Sequence, residues 1–243
     1  MSEAPRWEYE SARDLELGAG AALRSALREP GLISCLATRA WWRFIQVWLW
    51  WRYRLKLEGA EHLAREAPYV LVANHTSHLD TLALGAAVPW RLRHRLFPLA
   101  AGDTFFSTPG TAFLSSLLMN ALPMWRRNVG RHGLSQMRER LVRRHDVFVL
   151  FPEGTRSRDG TLGKFKAGIG MLVAGTEVPV HPCHLEGAFE AWPPDAKRPG
   201  QGRLTLRIGA PLRFTDLAND RAGWNEASAR LRDAILDLAP NPS

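Results

Sequence analysis

The chain has 243 residues, of which 46% are hydrophobic and 23% charged. These values are ordinary for a globular protein of one large α/β domain, and they exclude wholesale disorder and a polytopic membrane protein. The formal net charge of +8 predicts an anionic partner. We do not expect nucleic acid, because there is no zinc-ligand spacing, basic heptad helix or aromatic RNA-binding signature.

The N-terminal segment carries acidic residues before its first apolar run, unlike a secretory signal with its basic start. Cys35 and Cys183 form no spacing motif, which argues against a disulfide framework and a cysteine metal site. Both observations predict a protein of a reducing compartment, on the cytoplasmic side of the cell membrane.

Residues 40–53 form the longest apolar stretch, and five of the ten tryptophans lie between residues 41 and 51. The stretch is shorter than the roughly 20 apolar residues of a membrane span. On a helix, one sector contains Arg39, Arg43, Gln46, Trp50 and Arg54, and the wide apolar face contains Trp41, Phe44, Ile45, Trp48 and Trp51. This pattern predicts an amphipathic helix in the interface of an anionic membrane. The alternative is a helix packed on the core of its own domain.

Strand and helix patterns alternate beyond this point. Apolar runs predict buried strands at 69–74, 147–151, 178–185 and 204–208, whereas helical periodicity predicts amphipathic helices at 134–145 and 222–238. Residues 191–202, rich in proline and charge, predict a surface loop. We therefore expect residues 1–56 to be a tail with the interfacial helix, and residues 57–243 to be a single α/β domain with a central mixed sheet flanked by helices.

A base and a carboxylate follow the first buried strand five residues apart, in Asn-His-Thr-Ser-His-Leu-Asp at 74–80. If the chain turns from strand into helix here, Asp80 can accept the Nδ1 proton of His75. Nε2 is then free to take a proton from a hydroxyl. No serine stands in a glycine elbow, so the hydroxyl is expected to belong to a substrate and the transfer to be direct.

A second polar segment, Phe-Pro-Glu-Gly-Thr-Arg-Ser at 151–157, also follows a predicted buried strand. Loops at strand ends bind ligands in α/β sheets. Arg156 presents a planar fork that fits phosphate oxygens, Gly154 permits close backbone approach, and Glu153 can orient the arginine or accept from a substrate hydroxyl. Alone, the segment also fits a charged surface turn.

Together the two segments resemble the glycerol-phosphate acyltransferase superfamily, specifically bacterial 1-acyl-glycerol-3-phosphate acyltransferases with a PlsC-type domain. His75 and Asp80 match the His-x4-Asp block, and residues 151–157 match the Phe-Pro-Glu-Gly-Thr-Arg-Ser block throughout. The resemblance covers about residues 57–208. It implies that His75 is the catalytic base, Asp80 its orienting partner, and the residues from Glu153 to Arg156 (Glu153, Gly154, Thr155, Arg156) the acceptor-phosphate loop.

Two further family blocks match less closely. Residues 121–126 resemble the second block, which makes Arg126, or the following Arg127, a candidate phosphate ligand. Trp125 stands where the family has a smaller or acidic residue. Residues 178–182 resemble the fourth block, which implies acyl-donor contacts at Val178 and Pro179, although His181 is more polar than the family pattern.

The implied activity is that of a 1-acylglycerol-3-phosphate O-acyltransferase. An acyl group passes from acyl-CoA or acyl carrier protein to the sn-2 hydroxyl of lysophosphatidic acid, giving phosphatidic acid, with no metal or other cofactor. Relatives acylate other lysolipids or glycerol 3-phosphate. The sequence does not select the headgroup, the chain length, the carrier or the oligomeric state.

Two alternatives come from other classes. His75, His78 and Asp80 could be metal ligands of a hydrolase that acts on a lipid or phosphoester. The basic helix and loop could also belong to a lipid-binding module without catalysis.

Overall fold

A computed structural model describes residues 14–25, 27–124 and 131–240. Within these ranges the chain forms one seven-stranded sheet. Its strands are β1 (Lys56–Glu58), β2 (Tyr69–Ala73), β3 (Leu96–Ala101), β4 (Leu122–Met124), β5 (Val147–Leu150), β6 (Val180–Glu186) and β7 (Thr205–Ile208).

The described helices precede, connect and follow these strands. They are α1 (Ala19–Leu23), α2 (Leu32–Tyr53), α3 (Leu79–Ala87), α4 (Gly102–Phe105), α5 (Pro109–Met119), α6 (Arg131–Arg144), α7 (Gly168–Val173), α8 (Ala188–Ala191) and α9 (Arg221–Asp237). Two 3₁₀ turns cover Ala60–His62 and Trp90–Arg95.

The strand order is β1-β7-β6-β2-β5-β3-β4. The strands from β6 to β4 run parallel to one another, whereas β7 pairs antiparallel with β6 and β1 runs parallel to β7. The predicted mixed sheet flanked by helices is therefore confirmed. The central strand β2 is buried along its whole length, which explains its unbroken apolar sequence.

Successive side chains of the central strands supply two different cores, because strand side chains alternate between faces. Tyr69, Leu71 and Ala73 lie in one cluster with side chains of α2 and α3. Val70 and Val72 lie in the other, with side chains of α6, α7 and α9. The molecule thus has a three-layer architecture with the sheet in the middle.

Helix α2 is an integral part of the first layer. Trp42, Ile45, Leu49 and Tyr53 are buried in the same cluster as the side chains of β2. Of the apolar face predicted for a membrane, Ile45 is buried, Trp41 and Trp48 are half-buried, and Phe44 and Trp51 are exposed. Trp50, assigned to the polar sector, is exposed as well. One side of the helix therefore packs on the core, as the alternative prediction has it, and the other keeps an apolar surface.

The four predicted strands and two predicted helices are all confirmed, with ends that differ by at most three residues. β1, β3 and β4 were not predicted. The division at residue 56 stays a prediction, since α2 shares its core with the domain that follows it. No helix within the described ranges is long and apolar enough to cross a membrane.

Candidate active site

The two polar segments emerge at the same edge of the sheet. β2 and β5 are parallel neighbours, with Tyr69 paired to Val147 and Val72 to Leu150. Their carboxyl ends therefore meet, and residues 74–80 and 151–157 follow directly. Asn74 fixes the first segment to β6, because its side chain donates to the Leu185 carbonyl at 3.0 Å and accepts from the Leu185 amide at 2.8 Å.

His75 and Asp80 are in contact, as the sequence predicts. His75 Nδ1 lies 2.8 Å from Asp80 Oδ2, which also accepts the amide protons of Thr76 at 2.6 Å and Ser77 at 2.8 Å. Asp80 is fully buried in the first turn of α3, where the helix dipole favours negative charge. A carboxylate can only accept, so Nδ1 carries the proton and the lone pair lies on Nε2. The His75 side chain is 21% exposed, which leaves it accessible to a substrate.

The second segment supports the imidazole from two further sides. The Phe151 ring stacks on the His75 ring, with centroids 4.1 Å apart and planes 15° from parallel. Glu153 accepts from the His75 amide through Oε1 at 2.8 Å and from the Gly163 amide through Oε2 at 2.9 Å. Burial raises the pKa of Glu153, although these amides and His75 counteract it. Each oxygen thus accepts from one backbone amide, which holds Glu153 against His75, and a contact between Glu153 and the substrate stays a prediction.

Arg156 lies on the same loop and contacts the first segment. Its Nη1 donates to the His78 ring, 3.0 Å from Nδ1 and closer to Nε2. The His78 ring in turn packs on Trp192 with centroids 4.8 Å apart. Burial is the largest cause that lowers the pKa of His78, and the charge of Arg156 lowers it further. A hydrogen bond to the Pro194 carbonyl acts in the opposite direction. A neutral imidazole fits this place, because the guanidinium offers only donors.

A backbone hydrogen bond joins the base to the arginine loop. The Ser157 amide donates to the His75 carbonyl at 2.7 Å, so the residue after Arg156 is hydrogen-bonded to the catalytic candidate itself. Gly154 has a φ of 74°, a conformation that favours glycine, and Thr155 is exposed beside it. The arrangement can therefore hold an anionic group near a base with a free lone pair.

Other predicted site residues lie elsewhere. Arg126 and Arg127 follow β4 but fall outside the described residues. Val178 and Pro179 precede β6 and line a groove of about 1030 Å³ at the amino ends of the central strands, opposite the edge that carries His75. The structure does not bring these two residues to His75, and their acyl-donor role stays a prediction.

Several contacts that build the site could not be predicted from sequence spacing. The bond from Glu153 to the His75 amide, the packing of Trp192 on His78, and the bond from Ser77 Oγ to the Trp192 carbonyl at 2.7 Å all join distant segments. In the part of the chain that the structure describes, no group of three or more His, Cys, Asp or Glu side chains could hold a metal ion. His78 instead lies beside a guanidinium, where a metal would meet a second cation.

The chain is similar in sequence to known acyltransferases. The bovine (Bos taurus) 1-acyl-sn-glycerol-3-phosphate acyltransferase alpha is 30% identical over 170 residues, which cover 69% of this chain and 57% of the bovine protein. The Saccharomyces cerevisiae 1-acyl-sn-glycerol-3-phosphate acyltransferase is 27% identical over 198 residues, or 75% of this chain and 59% of the yeast protein. The chain thus spans less than two thirds of the length of these relatives.

The fold also matches a solved structure. The crystal structure of the 1-acyl-sn-glycerophosphate (LPA) acyltransferase PlsC from Thermotoga maritima superposes with a TM-score of 0.65 at 22% identity, over 86% of this chain and 81% of that one. The family model described as Acyltransferase matches residues 54–186, more than half of the chain and a range that contains His75, Asp80, Glu153 and Arg156. The chain therefore belongs to the acyltransferase family.

Proposed function

We propose that this protein transfers a fatty acyl group from a thioester donor, acyl-CoA or acyl carrier protein, to the sn-2 hydroxyl of lysophosphatidic acid, producing phosphatidic acid. The observation that carries the proposal is the His75 imidazole, bonded through Nδ1 to the buried Asp80 and joined by its own carbonyl to the loop of Arg156. The bovine and yeast relatives are named for the same acceptor, which supports the proposal.

In the proposed reaction, the side chains of this site position the acceptor and move its proton. Arg156 binds the phosphate of the acceptor and so brings the free hydroxyl to His75, and orientation of this kind is worth roughly 7 to 11 kcal/mol of barrier in favourable cases. Nε2 of His75 removes the hydroxyl proton as the oxygen attacks the thioester carbonyl. The C–S bond then breaks, and the leaving thiolate of the carrier takes the proton from His75. Until that transfer, Asp80 stabilises the imidazolium. We propose no metal or redox cofactor.

The test is a transfer assay with purified protein, both donors, and a panel of lysolipids, monoacylglycerol and glycerol 3-phosphate. We expect phosphatidic acid from lysophosphatidic acid. His75→Ala should lower kcat by about 10²- to 10⁴-fold. His78→Ala should retain most of kcat and mainly raise KM for the acceptor, because the His78 ring is hydrogen-bonded to Arg156, the proposed phosphate ligand. Equal loss of kcat in both variants together with bound zinc would favour the hydrolase, and thiol release without acylated lipid would favour a thioesterase.

We further propose that the protein binds the cytoplasmic face of the membrane through α2. Its outward side carries seven exposed large apolar residues, and the helix also carries exposed Arg43. These residues are Leu32, Ile33, Leu36, Phe44, Val47, Trp50 and Trp51. An apolar stripe of this length on a soluble surface is unusual, and tryptophan favours the headgroup level of a bilayer.

Vesicle flotation tests the membrane proposal. Removing α2 would also remove Trp42 and Leu49 from the core, so substitutions on the outward side are the cleaner test. We expect Trp50→Ser with Trp51→Ser, at side chains 68% and 73% exposed, to reduce flotation while the protein stays folded. The matched control is Val142→Ser with Leu236→Ser, two exposed apolar residues on α6 and α9 in the opposite layer. Equal flotation of both double variants would exclude α2 as the binding surface.

A further inference from the structure

The side chain of Lys166 crosses the loop that carries Arg156. A Cβ atom on Gly154 would lie 2.6 Å from Lys166 Nζ and 3.1 Å from its Cε. These atoms are the far end of a flexible side chain, so the contact locates the ammonium group beside Gly154, and it is the positive φ of Gly154 that favours glycine there. Lys166 Nζ therefore lies next to Gly154, between Glu153 and Thr155 of the loop.

Backbone hydrogen bonds hold the Lys166 segment against the loop that its side chain crosses. The Lys166 amide donates to the Pro152 carbonyl at 2.9 Å, and the Gly163 amide donates to Glu153 at 2.9 Å. From the other side, Ser228 Oγ of α9 donates to the Lys166 carbonyl at 3.3 Å. These hydrogen bonds hold the backbone of Lys166 beside the loop that contains Gly154.

The ammonium group is open to a ligand. Lys166 is exposed, and no ion pair connects it to a carboxylate of the described residues. The nearby carboxylate of Glu153 accepts hydrogen bonds from two backbone amides. Lys166 Nζ adds a second positive charge to the loop that carries Arg156, and two cations suit a phosphate monoester of charge near −2 better than one does.

We propose that Lys166 is a second cationic ligand for the phosphate monoester of the acyl acceptor, acting together with Arg156. This inference rests on the proposed function. It assigns to Lys166 the discrimination between a lysolipid with a terminal phosphate and a neutral acceptor. Coenzyme A also carries phosphates, so the same chemistry could serve the donor. We assign Lys166 to the acceptor because it crosses the loop of Arg156 and Glu153, which is hydrogen-bonded to His75.

Steady-state kinetics of Lys166→Gln test the assignment. We expect KM for lysophosphatidic acid to rise roughly 10-fold, the loss of one hydrogen bond between charged groups, with kcat changed far less. KM for acyl-CoA and the rate with monoacylglycerol should stay at wild-type values, and Lys166→Arg should restore most of the affinity. Lys164→Gln is the matched control, because it removes the same charge from an exposed lysine two residues away.

Three outcomes would overturn the inference: equal effects of Lys164→Gln and Lys166→Gln, a rise confined to KM for acyl-CoA, or equal loss with phosphate and neutral acceptors. Calorimetric binding of lysophosphatidic acid and of monoacylglycerol separates this inference from the proposed function. If the wild type binds lysophosphatidic acid through Lys166 but transfers no acyl group, the function fails and the inference holds. If the wild type makes phosphatidic acid and Lys166→Gln binds the lipid equally well, only the inference fails.

Discussion

Glu153 connects the two polar segments by accepting the amide proton of His75, and its second oxygen accepts the amide proton of Gly163. Glu153→Gln would turn an NH₂ group toward one of these amides, so one hydrogen bond is replaced by a repulsive contact. We expect kcat to fall by about 10²-fold through displacement of His75, and the free energy of unfolding to fall by about 1 to 3 kcal/mol. Kinetics and urea unfolding measure both, with exposed Glu190→Gln as the control. Wild-type kcat in Glu153→Gln would show that His75 does not depend on this carboxylate.

His181 makes the stability of the protein dependent on acid. Its side chain is fully buried next to Tyr69, with ring centroids 5.5 Å apart, and burial lowers its pKa to about 4 from the ordinary 6.5. Between these values the unfolded chain binds a proton that the folded protein excludes. Stability is therefore lost as pH falls from 6.5 to 4, by at most about 3 kcal/mol for this group.

Urea unfolding at several pH values checks this expectation. His181→Leu should flatten the pH dependence between 6.5 and 4, leaving a smaller slope from groups such as His184, whose pKa burial also lowers. An unchanged slope in His181→Leu would mean that other groups dominate the acid sensitivity.

The sequence predicts the contact of His75 with Asp80 because the two residues are five apart across one turn from strand to helix. It also predicts Arg156 as a phosphate ligand, because this residue lies in a polar segment directly after a buried strand. It could not predict that Glu153 bonds to the His75 amide, or that Lys166 crosses Gly154. Those contacts depend on which strands become neighbours and on how two loops fold against each other, and neither is encoded in local spacing.

At the scale of elements, α2 packs closely on α3. A Cβ atom on Gly85 of α3 would lie 2.3 Å from the buried ring of Trp42. Gly85→Ala gains about 0.5 to 1 kcal/mol of helix propensity but overpacks the core, which typically costs about 1 to 3 kcal/mol. We expect a net loss of stability, measured by thermal unfolding. Gly133→Ala is the control, because nothing lies within 4 Å of its added Cβ, and it should stabilise α6.

The elements that sequence patterns predict are those with long or strongly periodic runs. β2 and β5 are continuous apolar strands in the middle of the sheet, whereas the missed β1 and β4 have three residues each and form the two edges. β3 contains Pro98, which obscures its strand pattern. For α2, periodicity indicates two faces, but only tertiary packing decides that Ile45 is buried and Trp50 exposed.

At the scale of the whole molecule, the loop that follows α8 connects α2 with the edge of the sheet that carries His75. Trp192 of this loop packs on His78, the Ser77 hydroxyl bonds to its carbonyl, and Arg52 of α2 donates to the Gly200 carbonyl at 2.7 Å. A protein bound to a bilayer through α2 would therefore have its active site tied to the membrane-facing element. This arrangement suits an acceptor that remains in the lipid layer.

Net charge and apolar surface should make separable contributions to membrane binding. The formal charge of +8 attracts anionic lipid, at about 1 kcal/mol for each Lys or Arg near the surface, and salt weakens this attraction because the Debye length falls from about 10 Å at 0.1 M to about 3 Å at 1 M. Burial of Trp50 and Trp51 does not depend on salt in this way. In flotation at rising salt, binding of the wild type to anionic vesicles should decline toward its level on neutral vesicles and then persist. The Trp50→Ser, Trp51→Ser variant should decline to almost nothing, and a wild-type protein released completely by salt would show that charge alone holds it.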